Sequence, residues 1–126
     1  MALVSIVVLL AILEYFVFSF MVGAARGRYG VSAPAISGDP IFERFYRVHQ
    51  NTLEQLAGFL PAITVYGFYG NPQVAAGLGL VFIVSRAIYA YTYINDPAKR
   101  AWGFVPGWLA TVFMIFAGAW SAYSAL

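Results

Sequence analysis

The sequence predicts an all-α integral membrane protein: four transmembrane helices packed as a bundle, in one membrane domain covering residues 1–126. Three observations predict it. Of 126 residues, 62% are hydrophobic and only 10% charged, too little charge to cover the surface of a soluble domain this small. Apolar runs long enough to cross a bilayer recur along the chain. Clusters of Gly, Pro, Asn and Asp separate those runs at three places. The chain has no cysteine, which excludes a disulfide framework, a thiolate metal site and a cysteine nucleophile. No metal is expected, and a net charge of +2 is too small to point to nucleic acid.

The first helix is predicted over residues 2–25. Only Glu14 is charged in that run, which as a helix spans roughly 36 Å. A cleaved leader would carry its positive charge before the apolar core, whereas Arg26 and Arg28 follow it, so this helix is expected to be retained. Gly27, Gly30, Pro34, Gly38 and Pro40 then read as a loop. The second helix is predicted over 41–69, with Asp39 as N-cap and Pro40 at its start. Pro61 is expected to kink it. After the turn Tyr66–Pro72, a third helix is predicted over 73–94, where Gly77 and Gly79 permit close approach of a neighbour. Asp96 and Pro97 open the fourth helix, 97–124. Gly103, Pro106 and Gly107 make its start irregular, so the span proper is expected nearer Trp108.

All seven basic residues lie around the first and third loops or within three turns of them. By the positive-inside rule these loops face the cytoplasm and both termini face the opposite compartment. The compact length suggests a bacterial inner membrane.

The densest polar stretch is Glu43–Glu54, with two arginines, one histidine, two amides and two carboxylates. On a helix, Arg44, Arg47, Asn51 and Glu54 form one stripe, while His49 points about 200° away from Arg47. Arg86, Tyr89 and Tyr93 form a matching stripe on the third helix. Antiparallel neighbours joined by a short turn bring the two stripes to one depth, which Arg100 and Arg26 also reach. Several guanidinium groups suit carboxylates, Glu54 suits an ammonium group, and the amide and phenols suit a peptide backbone. The complement is a small zwitterionic, net-anionic peptide such as glutathione, with a lipophilic co-substrate arriving from membrane lipid. An arginine beside its sulfur favours the thiolate. Two plainer readings stand beside this one. The arginines could simply anchor the membrane surface, and His49 could be a structural hydrogen-bonding residue.

Arg47-Val48-His49-Gln50-Asn51-Thr52-Leu53-Glu54 with Phe59-Leu60-Pro61 resembles the MAPEG family, the membrane-associated proteins in eicosanoid and glutathione metabolism. His49–Glu54 is most similar to its type-3 microsomal glutathione transferases, and the likeness continues at Arg86-Ala87-Ile88-Tyr89, Tyr93 and Arg100. The resemblance implies a homotrimer of twelve transmembrane helices, with glutathione as co-substrate bound between neighbouring subunits. It implies that Arg100 activates the thiol, that Arg47, Asn51, Glu54, Arg86, Tyr89 and Tyr93 hold the tripeptide, and that Arg26 and His49 approach from the adjacent subunit. The implied activity is conjugation of glutathione to lipophilic electrophiles in detoxification, together with reduction of lipid hydroperoxides. Two departures touch the site: Gln55 stands where leukotriene C synthase of that family has a tyrosine contacting glutathione, and Gly27 where it has a second arginine.

Two other functions fit parts of the chain. The family includes a lipid-presenting member without chemistry, so a non-catalytic scaffold is one alternative, disfavoured by the presence of Arg100 beside the polar stripe. The other is a small four-helix multidrug exporter using Glu14, since a carboxylate within a membrane helix suggests function. That reading leaves the arginine stripes unexplained, and Glu14 at a contact inside the bundle is the plainer one.

Overall fold

A computed structural model describes every residue from Met1 to Leu126. The chain forms α1 (Ala2–Tyr29), α2 (Pro40–Tyr69), α3 (Pro72–Asn95) and α4 (Ala101–Ser124), with a single 3₁₀ turn, Pro97–Lys99, before α4. Three stretches are long and apolar enough to cross a membrane: α1, α3 and Pro97–Ser124. The 30-residue α2 has the length, but its first half holds the polar cluster.

Local chemistry sets the helix ends. Asp39 Oδ1 accepts from the amides of Ile41 and Phe42, both at 2.9 Å, with Pro40 as first helical residue. Asn71 caps α3 in the same way through Gln73 and Val74, and Asp96 caps the 3₁₀ turn through Ala98. Each cap satisfies amides that have no partner inside their own helix.

The helices run up and down in sequence. The α2–α3 pair forms the middle, with α1 and α4 packed on its two flanks. The main core joins Val4, Val7 and Ala11 of α1 to Phe59 and Ile63 of α2, Phe82 of α3 and Met114 of α4. Phe59 and Phe82 stack with ring centroids 3.9 Å apart. Outward faces carry exposed large apolar side chains such as Leu9, Phe20, Val84 and Phe116, the arrangement expected where lipid is the solvent.

Three expectations are corrected. The first helix does not stop at Ala25 but continues a further turn to Tyr29, ended by Gly30 in the left-handed conformation (φ 69°). Gly27 and Arg26 therefore lie on a helix rather than in the loop. Between the close-packing glycines of α3, only Gly79 is used: a Cβ there would strike Val7 and Ile63, whereas nothing lies within 4 Å of Gly77.

The third correction concerns α4, which does not wait for Trp108 but is helical from Ala101 through Pro106. Gly103 and Gly107 face α3 so closely that their missing side chains are the contact, a Gly-x-x-x-Gly approach. Ser85 of α3 donates from Oγ to the Gly103 carbonyl and accepts from the Gly107 amide at 2.9 Å. Its hydroxyl thus lies between the two groups that would form a ladder bond beside Pro106, a place where helices usually deform. This contact carries the first turn of α4, and with it Arg100, onto α3.

Candidate functional site

At the end of the bundle where α1 leads to α2 and α3 to α4, a cavity of about 450 Å³ opens between α2, α3 and α4. Arg47 and Asn51 line it from α2, Tyr89 and Tyr93 from α3, and Arg100, Ala101 and Phe104 from the start of α4. Its size falls within the roughly 300–1,000 Å³ usual for small-ligand sites.

The positions follow from the helices. Arg47 and Asn51 are one turn apart on α2, and Arg44, a turn earlier, donates from Nη1 to the Ile94 carbonyl at 2.8 Å. That bond places a cation on the C-terminus of α3, where free carbonyls favour it, and ties the ends of α2 and α3 together. Tyr89 and Tyr93 stack with centroids 5.5 Å apart. Phe104 closes against Tyr89 at 6.3 Å. Arg100 stands at the N-terminal boundary of α4, following the 3₁₀ turn. Its exposed side chain and the nearby amide ends of the helix both favour an anion there.

Arg86 has a different place from the other arginines. Only 2% exposed, it does not line the cavity but lies behind it. Its Nε and Nη2 donate to Thr52 Oγ1 at 3.2 and 2.9 Å, and Nη2 also donates to Asn51 Oδ1 at 2.9 Å. Its guanidinium carbon sits 4.1 Å from the centre of the Tyr89 ring, a cation–π contact. Arg86 thus backs two of the cavity's walls.

The remaining predicted residues lie outside this cavity. Glu54, one turn beyond Asn51 on the same stripe, is exposed and not among the lining residues. His49 faces α1, its ring stacked on Tyr15 with centroids 4.8 Å apart. Arg26 donates to the Ala35 carbonyl at 2.6 Å and lies over the Phe42 ring at 5.0 Å, bracing the α1–α2 loop. Glu14 is half-buried in α1, with a buried Oε1 that has no hydrogen-bond partner.

Sequence reasoning did not single out Thr52, Ser85, Ala101 or Phe104. The Gly103/Gly107 spacing was the available signal for Ser85, and Phe104 lies one helical turn from Arg100. Thr52 had no such signal, because a lone threonine beside a polar stripe is common.

The MAPEG family model matches residues 4–120. The chain belongs to the MAPEG family. An uncharacterized protein of Synechocystis (sll1147) is 41% identical over 111 residues, covering 88% of this chain and 81% of that protein. Microsomal glutathione S-transferase 2 of Bos taurus is 41% identical over 87 residues, 69% of this chain and 60% of that protein. Leukotriene C4 synthase of Cavia porcellus is 39% identical over 99 residues, 79% of this chain and 66% of that protein. The MAPEG assignment and the three apolar helices together make this an integral membrane protein.

Proposed function

We propose that this MAPEG protein is a membrane glutathione transferase that joins the glutathione sulfur to lipophilic electrophiles. The observation that carries the reading is the cavity itself. It gathers two arginines, an amide and two tyrosines from three helices, a donor-rich set suited to a small peptide bearing carboxylates. Relatives named as a glutathione S-transferase and a leukotriene C4 synthase support the same reading.

In this reading Arg47 and Asn51 bind the peptide's acceptor groups, with Tyr89 and Tyr93 along its length and Glu54 at its ammonium end. Arg86 holds the wall behind it. Arg100 lies beside the sulfur and favours loss of its proton to water, as cationic neighbours do for protein thiols. The thiolate then attacks an electrophilic carbon that has entered from lipid. A carbon–sulfur bond forms and the leaving group departs with its electron pair. With a lipid hydroperoxide the same thiolate attacks the outer peroxide oxygen, the O–O bond breaks, and the departing alkoxide takes a proton from water to give the alcohol. A second glutathione then displaces water from the resulting sulfenic acid to give the disulfide.

Arg26 and His49 face the α1 side, away from this cavity. They serve the site of a neighbouring copy in a homotrimer, as the family resemblance implies. The basic end faces the cytoplasm, since every Lys and Arg lies on that half of the bundle.

The test is a calorimetric titration of purified protein in detergent with glutathione and with other low-molecular-weight thiols, followed by turnover of chlorodinitrobenzene. Saturable glutathione binding with conjugate formation is expected. Absence of both would sink the reading, and preference for another thiol would replace its substrate.

A further inference from the structure

Thr52 is fully buried, one position along from Asn51, and its hydroxyl is saturated. It donates to the Val48 carbonyl at 2.7 Å, the backward bond that a helical threonine often makes. Its two lone pairs accept from Arg86 Nε and Nη2. A hydroxyl has one donor and two acceptor sites, so none is left over.

The consequence passes to Asn51. The second hydrogen of Arg86 Nη2 goes to Asn51 Oδ1. An arginine has no acceptor, so the Asn51 atom facing it must be the oxygen, which leaves both amide N–H groups unused by Arg86, beside the second lone pair of Oδ1. Asn51 lines the cavity, and with its oxygen held by Arg86 its two amide N–H groups are donors a ligand can use.

We propose that Thr52 is a positioning residue for the binding site. By holding Arg86 it fixes the Asn51 side-chain amide as a donor to the cavity, making that wall a subsite for a ligand carbonyl or carboxylate oxygen. The ligand in this inference rests on the glutathione reading, while the Thr52–Arg86–Asn51 geometry does not.

Two measurements separate these. In the first, glutathione affinity and chlorodinitrobenzene kinetics are compared for wild type, Thr52→Val and Thr52→Ser. Thr52→Val keeps the shape and removes the hydroxyl. It is expected to weaken glutathione binding about five- to tenfold and raise the KM for glutathione by the same factor, with kcat at saturation near wild type. Thr52→Ser restores the hydroxyl and is expected to restore affinity. Wild-type affinity in Thr52→Val overturns the proposal, as does a Thr52→Ser protein as weak as Thr52→Val.

The second measurement uses no ligand: hydrogen exchange of the Arg86 Nε–H in arginine-labelled protein, followed by NMR. Slow exchange in wild type and in Thr52→Ser, with fast exchange in Thr52→Val, supports the proposal. Fast exchange in wild type overturns it, even if the valine variant does not fold. A wild-type protein that fails to bind glutathione while Arg86 behaves as expected removes the functional reading and leaves Thr52 in its role.

Discussion

Gly103→Ala perturbs the closest approach in the bundle. A Cβ at Gly103 would fall inside van der Waals contact of the Tyr89 amide nitrogen and Cα, and 2.8 Å from the Ile88 carbonyl carbon. All three are backbone atoms of α3, so no rotamer change relieves the clash. Ordinary contact begins near 3.4 Å, so the helices must part by more than half an ångström to satisfy even the third atom. Overpacking of this kind costs about 1–3 kcal/mol. Parting the helices also stretches the Ser85 bridge to Gly103 and Gly107, which adds about 1 kcal/mol. A loss of roughly 2–4 kcal/mol corresponds to a fall of about 10 °C in thermal midpoint.

The effect should reach the chemistry, because Gly103 lies between two cavity residues, Arg100 and Phe104. The assay is a thermal shift of ligand-free protein in detergent, with chlorodinitrobenzene turnover measured well below the midpoint. Gly77→Ala is the control. Nothing lies within 4 Å of that position, and its effect should stay within about 1 kcal/mol. A Gly103→Ala midpoint within about 2 °C of wild type, with turnover unchanged, would refute the claim that α4 is seated by backbone contact.

Arg100→Ala should abolish the ultraviolet absorbance of bound thiolate while changing glutathione affinity less than about threefold. An equal thiolate signal would remove Arg100 from activation. Arg47→Ala removes a charged donor and should weaken glutathione binding roughly 10- to 100-fold by titration calorimetry, with unchanged affinity striking it from the site. Phe59→Ala opens a void against Phe82 and should cost about 3–5 kcal/mol in thermal unfolding, a loss below about 1 kcal/mol contradicting its central place. Cross-linking in native membranes should give a ladder ending at three copies. A ladder stopping at one would withdraw the partner roles of Arg26 and His49.

The sequence by itself determined the helices, because the signals for them are local. Membrane-length apolar runs define the spans, and Asp39-Pro40, Asn71-Pro72 and Asp96-Pro97 each carry both the cap and the first-turn residue of the next helical segment. The stripe containing Arg47 and Asn51 was equally legible, since helical spacing alone puts those side chains on one face. So was the separation of His49, which the bundle turns toward Tyr15.

Tertiary structure decided what each polar residue does with its hydrogen bonds. Arg86 reads in sequence as one more arginine of the pocket, yet packing buries it behind the wall, where Thr52 and Asn51 take up its donors. The start of α4 reads as broken at Gly103, Pro106 and Gly107, yet it is helical because those glycines admit the α3 backbone and Ser85. The physical reason is the same in both places. A helix is specified by neighbours within one turn, whereas the partner of a buried donor is chosen by residues 18 to 35 positions away, which meet only when the helices pack.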